Sequence, residues 1–354
     1  MNSQVNQPVF SIRLRALLAC AAFFLLTATG CSAFLPAPTP TPTVAPTPEA
    51  VVLETTTPSP TPSPSPTPDP AMNPATLIWM SDTQGYTSSF PETLSAMTQW
   101  IVDHRTELNI QYVLQTGDIV NDMLRSSEWS AATAAFDTLV GKVPLIAIAG
   151  NHDIKGVVHD YTSFHALMDR QNYKSYPTFG GVDALGRGRY DLVTIGHEDY
   201  ILLGVGYSVQ KTDAAWLDSV LKQYPDRTAI LLAHWYLELG DQPFEADSQV
   251  LHSVVAANPN VRYVLCGHRH GMKRVAEQYD DNGDGTMDRT VQAIMVDYQA
   301  LPDGGDGYLM ILTIDPVSRE FRITSYSPLL DDYNYFEDES VETYTLPLAT
   351  VSGG

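Results

Sequence analysis

Five short stretches place acids, amides and histidines where an apolar run stops. Asp82 and Gln84 follow "ATLIWM"; Gly117-Asp118-Ile119-Val120-Asn121 follows "YVLQT"; Gly150-Asn151-His152-Asp153 follows "PLIAIA". His234 follows "AILLA", and Gly267-His268-Arg269-His270 follows "VRYVLC". Carboxylate, amide oxygen and imidazole are ligands for divalent cations. With no thiolate among them, the set suits Mn, Fe, Zn or Co rather than a structural thiolate zinc. Residues two apart on an extended segment point the same way. Asp82 with Gln84, and His268 with His270, are therefore expected to face one edge. Gly117, Gly150 and Gly267 let the backbone turn sharply beside such a site.

The elements that would deliver these groups follow from periodicity. Strands are expected at 75–81, 112–116, 144–149, 200–205, 229–233 and 261–266. Helices are expected at 91–105, 126–140, 213–224 and 245–257. In "PETLSAMTQWIVDHR" Leu94, Met97 and Ile101 share a face, and Pro91 suits a first turn. Alternating β and α segments predict mostly parallel strands with helices outside, an arrangement that gathers ligands beyond the carboxyl ends of the strands. Residues 289–299 read as a further strand, 302–316 and 319–328 as a hairpin closing the second half of the sheet, and the acidic, aromatic tail 331–346 as an edge strand or cover.

The ordered set D-x-Q, G-D-x-x-N, G-N-H-D, a lone His and G-H-x-H resembles the calcineurin-like metallophosphoesterase family across roughly residues 75–270. The resemblance implies an α/β fold, a four-layer α/β/β/α sandwich of two mixed sheets. It implies two metal ions (Mn, Fe or Zn) bridged by Asp118. Asp82, Gln84 and His270 would complete the first ion's ligands, and Asn151, His234 and His268 the second's. A hydroxide held between the ions would attack phosphorus in line. His152 would protonate the leaving group or stabilise its charge, and Asn121 would orient His152 through its side-chain amide oxygen. Gln84 stands where the family pattern has histidine, so the first ion is expected to be held more loosely or to be Mn or Fe in preference to Zn. The tyrosine typical of purple acid phosphatases is missing, which disfavours that branch.

Other features have plainer readings. His104, His159, His165, His197 and His252 lie in expected helices or loops and are read as solvated or locally bonded. Asp153 is read as structural, and Cys266 as a small buried residue. Asp280, Asn282, Asp284 and Asp288 in "DDNGDGTMD" resemble the first half of a calcium loop. Val291 stands where a bidentate glutamate would be needed, so an acidic hairpin turn, with Ca as an occasional stabiliser, is the plainer expectation. Arg187 and Arg189 in "LGRGRY" are read as solvated loop residues, with phosphate contact as the alternative, and 154–190 as a cover that sets specificity.

The whole chain frames the site. Its 354 residues carry 41 acids against 20 bases, a formal charge of −21. That argues against a nucleic-acid surface, which needs clustered Lys and Arg. Residues 1–31 read as a lipoprotein-type signal peptide: Arg13 and Arg15 precede a 15-residue apolar stretch ending at Gly30-Cys31. Cys31 is the expected lipidation site. Only Cys266 then remains in the folded part, so no intramolecular disulfide is expected. Residues 36–74 hold 14 of the 25 prolines. The segment 32–74 is therefore expected to be an extended spacer reaching on the order of 100 Å, and 75–350 the catalytic domain.

The sequence thus points to a monomeric, lipid-anchored hydrolase on the outside of a bacterial cell. Its substrate would be a phosphorylated small molecule, nucleotide or lipid. The rival expectation is a non-catalytic surface binding module with a degenerate metal site.

Overall fold

In the computed structural model, residues 69–154, 159–240 and 246–351 are described. The expected signal peptide, Cys31 and almost all of the spacer lie outside them. Among the described residues there are two seven-stranded mixed sheets. The first is built on β1 (Ala75–Met80), β2 (Ile110–Gln115) and β3 (Leu145–Ala147), which run parallel. The second holds β4 (Phe179–Val182), β5 (Gly188–Ile195), β6 (Glu198–Val205), β7 (Thr228–Ala233), β8 (Val261–Cys266), β9 (Met272–Tyr279) and β10 (Arg289–Val296). Its order is β4-β5-β6-β7-β8-β10-β9, with β6, β7, β8 and β10 parallel.

The hairpin of β11 (Leu309–Asp315) and β12 (Glu320–Ser327) does not join the second sheet. It pairs antiparallel with β1 and completes the first. From the tail, β13 (Asp332–Tyr333) and β14 (Tyr344–Pro347) both pair with β12. Among the described residues six α-helices accompany the sheets: α1 (Gln84–Ser89), α2 (Pro91–Asp103), α3 (Ser126–Phe136), α4 (Thr162–Arg170), α5 (Lys211–Gln223) and α6 (Ala246–Ala257).

The strand period of two sorts the core into three apolar layers. Ile78, Met80, Val113 and Leu145 face Leu94, Met97 and Ile101 of α2 and Ala132 and Phe136 of α3. Their strand neighbours Leu77, Trp79, Leu114 and Ile146 point the other way, against Leu202, Ile230, Leu232 and Leu265 of the second sheet. On the far side Ile201, Leu203, Leu231 and Val264 pack on Leu217 and Leu221 of α5 and Leu251 and Val255 of α6. The order is helix, sheet, sheet, helix. Strands apolar on both faces need cover on both, and each fully buried Leu or Ile contributes about 1.5–3 kcal/mol. This packing fixes where the strand ends emerge.

Candidate metal centre

The carboxyl ends of β2, β3, β7 and β8 converge. Asp118 follows Gly117, whose φ of 103° belongs to the left-handed region. A Cβ on Gly117 would stand 2.7 Å from both Gly150 N and His234 Nδ1, and one on Gly150 would stand 2.1 Å from Asp118 Oδ1. Only glycine lets these loops close on one another.

His234 is buried, and its Nδ1 lies 2.9 Å from the Thr116 carbonyl. A carbonyl only accepts, so Nδ1 carries the proton and Nε2 points inward. Around Nε2 stand Asn151 Oδ1 at 2.9 Å, His268 Nδ1 at 3.1 Å and Asp118 Oδ2 at 3.5 Å. Asp118, His234 and His268 each offer a ligand atom within 4.8 Å of the others.

This cluster is short of positive charge. Burial, reinforced by Asp297 and Asp118, holds the Asp82 carboxyl well above the usual carboxylate range. Burial opposes charge on His234, but Asp118 overcomes it and pushes His234 up to about 10. Burial and the neighbouring His234 push His268 down to about 3. Gln84 donates through Nε2 to Asp118 Oδ2 at 3.2 Å, while its Oε1 is buried with no hydrogen-bond partner. Converging lone pairs, paired buried carboxylates and an orphaned amide oxygen fit a bound cation.

The expected local geometry of two ligand pairs is corrected. The chain leaves β1 at Asp82 with φ 52°, and Gln84 opens α1, so the two do not alternate along a strand. His268 has φ 74°, so the G-H-x-H stretch is likewise a turn. Asp82 is instead held by its neighbours. It accepts the His268 backbone N–H at 3.1 Å and the Ser81 hydroxyl; Ser81 in turn accepts from Thr116, and Thr116 from Trp79. His270 is exposed and stands outside the tight group around Asp118. Near it lies Asp297, a buried carboxylate just past β10 that accepts the Gln299 backbone N–H at 2.9 Å. The 289–299 strand expectation runs past this strand end and so misses Asp297.

His152 is half-buried, and its Nδ1 lies 2.7 Å from the backbone carbonyl of Asn121. The side-chain amide oxygen expected to do this is not the partner. Any residue at 121 supplies a carbonyl, which is why residue type gave no signal. The His152 backbone N–H donates to Asp118 Oδ1 at 2.8 Å, tying the two loops together. Asp153 is buried and accepts the N–H groups of Ile119, Val120 and Gly150 at 2.8, 3.0 and 2.8 Å.

With that geometry in place, known proteins give it a family. The calcineurin-like phosphoesterase family matches residues 75–272, more than half of the chain. The chain belongs to the calcineurin-like phosphoesterase family. It is 37% identical over 272 residues to the uncharacterized protein YvnB of Bacillus subtilis, covering 77% of this chain and 21% of YvnB. It is 27% identical over 193 residues to the 3',5'-cyclic adenosine monophosphate phosphodiesterase CpdA of Escherichia coli, covering 51% of this chain and 60% of CpdA. The chain therefore spans about a fifth of the one relative and three fifths of the other. Two solved structures share the fold. A dimetal phosphatase from Danio rerio aligns with a TM-score of 0.52 at 13% identity, over 78% of this chain and 99% of that one. A purple acid phosphatase from yellow lupin aligns with a TM-score of 0.51 at 14% identity, over 79% of this chain and 55% of that one.

Within this phosphoesterase domain, several sequence features take other roles. Arg187 and Arg189 are buried rather than solvated. Arg187 Nη2 pairs with Asp213 at 3.1 Å, and Arg189 Nη2–Asp191 is a close ion pair. Both line a cavity of about 280 Å³ with Phe164, Met168 and Tyr173; none of its lining residues belongs to the metal cluster. The 280–288 loop is an exposed turn between β9 and β10. Asp280 accepts Gly283, Asp284 and Gly285 N–H groups, Asp288 accepts those of Asp281 and Asn282, and Asn282 accepts that of Asp284. Cys266 is buried, and burial pushes its thiol up to about 12. Of the other histidines, His104 meets the Trp100 carbonyl, His165 that of Gly186, and His197 pairs with Asp69.

Proposed function

We propose that the chain hydrolyses phosphate mono- or diesters with two divalent metal ions, Mn, Fe or Zn, held at this cluster. Asp118, Asn151, His234 and His268 would hold one. Asp82, Gln84 and Asp118 would hold the other, with His270 beside it. When bound, such a pair supplies Lewis-acid charge neutralisation and an acidified water. The observation that carries the reading is the convergence of Asn151 Oδ1, His268 Nδ1 and Asp118 Oδ2 on His234 Nε2.

The chain's own groups supply the rest. Thr116 fixes the tautomer of His234 so that Nε2 is the ligand nitrogen. Half-buried His152 keeps Nδ1–H on the Asn121 carbonyl and would turn Nε2 to the leaving-group oxygen, which takes the proton as the P–O bond breaks. Likeness to CpdA favours diesters among the substrates to try first. The same proposal puts the domain outside a bacterial cell, tethered by lipid on Cys31 through the spacer; its support is the amino-acid composition of 1–74 alone.

The test is hydrolysis of p-nitrophenyl phosphate and bis(p-nitrophenyl) phosphate after chelation and reloading with manganese, iron or zinc. Turnover of at least one ester should return with metal and fall by about 100-fold or more in Asp118→Asn. Wild-type protein that takes up metal and cleaves neither ester would favour the binding-module alternative.

A further inference from the structure

The loop that carries the Asn121 carbonyl is held by a side chain with no assigned role. Glu128 lies in the first turn of α3 and is only 4% exposed. Its Oε2 accepts the backbone N–H of Asn121 and that of Asp122, each at 2.8 Å. The two preceding N–H groups, of Ile119 and Val120, go to Asp153 Oδ1. Four consecutive peptide donors are thus taken by two buried carboxylates.

One of these bonds bears directly on His152. The N–H of Asp122 and the carbonyl of Asn121 belong to the same peptide unit. That unit is planar and trans, so its N–H and C=O point in opposite directions. Fixing the N–H on Glu128 aims the carbonyl at His152 Nδ1, 2.7 Å away. The order is carboxylate, peptide, imidazole.

We infer that Glu128 is a positioning residue for His152, acting through the single peptide unit that joins Asn121 to Asp122. The inference rests on the reading of His152 as the proton donor to the leaving group. In that step the P–O bond breaks, the departing oxygen takes the Nε2 proton, and the neutral imidazole keeps Nδ1–H on the Asn121 carbonyl. Proton donation matters most for a poor leaving group. An alkyl alkoxide needs the proton; p-nitrophenolate leaves nearly as well without it.

The experiment compares an alkyl and a p-nitrophenyl ester of the same phosphate, with metal-loaded wild type, Glu128→Ala, Glu128→Asp, Glu128→Gln and His152→Ala. The readout is the ratio of the two turnover numbers, from which any unfolded fraction cancels. Glu128→Ala, and the milder Glu128→Asp, should cut alkyl-ester turnover about 10- to 100-fold more than p-nitrophenyl turnover. Glu128→Gln keeps an oxygen for the same two N–H groups and should restore the wild-type ratio. A second readout needs no turnover. The His152 Nδ1–H resonance should exchange slowly with water in wild type and Glu128→Gln, and fast in Glu128→Ala or Glu128→Asp.

If wild type cleaves neither ester, the proposed function fails and proton exchange alone decides the positioning role. If His152→Ala lowers both esters equally, His152 is not the proton donor and this inference falls with that role. If His152→Ala is selective while the Ala and Asp variants at 128 lower both esters equally, or neither, only the Glu128 inference is overturned.

Discussion

His234 Nε2 and Asn151 Oδ1 face each other at 2.9 Å, although Nδ1 of the same ring is committed as a donor to the Thr116 carbonyl. Without a cation, the contact is favourable only when His234 carries a second proton, and the Asp118 carboxylate supplies the pull that keeps it there. A metal ion relieves the same arrangement by replacing that proton. Metal binding should therefore release protons, and the release should shrink when Asn151 is changed to Ala. Calorimetric titration in two buffers of different ionisation enthalpy measures it. No proton release on binding would mean that the ion sits elsewhere.

Gln84 offers a single buried oxygen where an imidazole would bind divalent metal more firmly. Gln84→His should tighten the weaker of two binding steps for Zn by roughly tenfold, about 1.4 kcal/mol, with less effect on Mn. Competition against a chromophoric chelator reads this directly. Equal affinities for both metals in wild type and variant would place Gln84 outside the ligand set.

Arg187 and Asp213 form an ion pair in which both side chains are buried, and Asp213 also accepts the Gln210 N–H at the start of α5. Asp213→Ala leaves a buried guanidinium without its counter-charge. Removing one member of such a pair typically costs about 3–5 kcal/mol. The shift of the urea midpoint measures it; a change below 1 kcal/mol would mean that water reaches Arg187.

Glu277 accepts the hydroxyls of Tyr236 and Tyr279 and lies 3.5 Å from His252 Nδ1. Burial raises its pKa, but His252 and the two hydroxyls outweigh that and leave it below its ordinary value of 4.5. A depressed pKa contributes stability that is fully present above the unfolded value and is lost as pH falls through the folded value. The gap in Tm between wild type and Glu277→Gln should therefore close as the pH drops below 4.5. A gap that widens on acidification would reverse the sign.

The sheet order was less legible than the strands. The apolar runs at 75–80, 229–233 and 261–266 mark strands because β-branched, aliphatic and aromatic residues dominate them. The hairpin 309–327 was equally visible, but its partner, β1, lies some 230 residues earlier, and no local pattern reports such a pairing. At the site, residue type located the ligand candidates, while backbone conformation escaped. Asp82, Asp118 and His268 adopt positive φ, a region that short polar side chains tolerate and that spacing does not announce. Contacts made through the backbone were also out of reach. The Asn121 carbonyl and the peptide held by Glu128 would be present with almost any side chain at 121, and a glutamate in a first helical turn is ordinary on dipole grounds alone. Asp297 was within reach, since the strand-end rule that singled out Asp118 and His268 applies equally at the end of β10.

Anomalous scattering from manganese-loaded crystals tests the central claim most directly. Two peaks should flank Asp118, one beside His234 Nε2, Asn151 and His268, the other between Asp82 and Gln84. A fully loaded protein with no peak within bonding distance of Asp118 would contradict it.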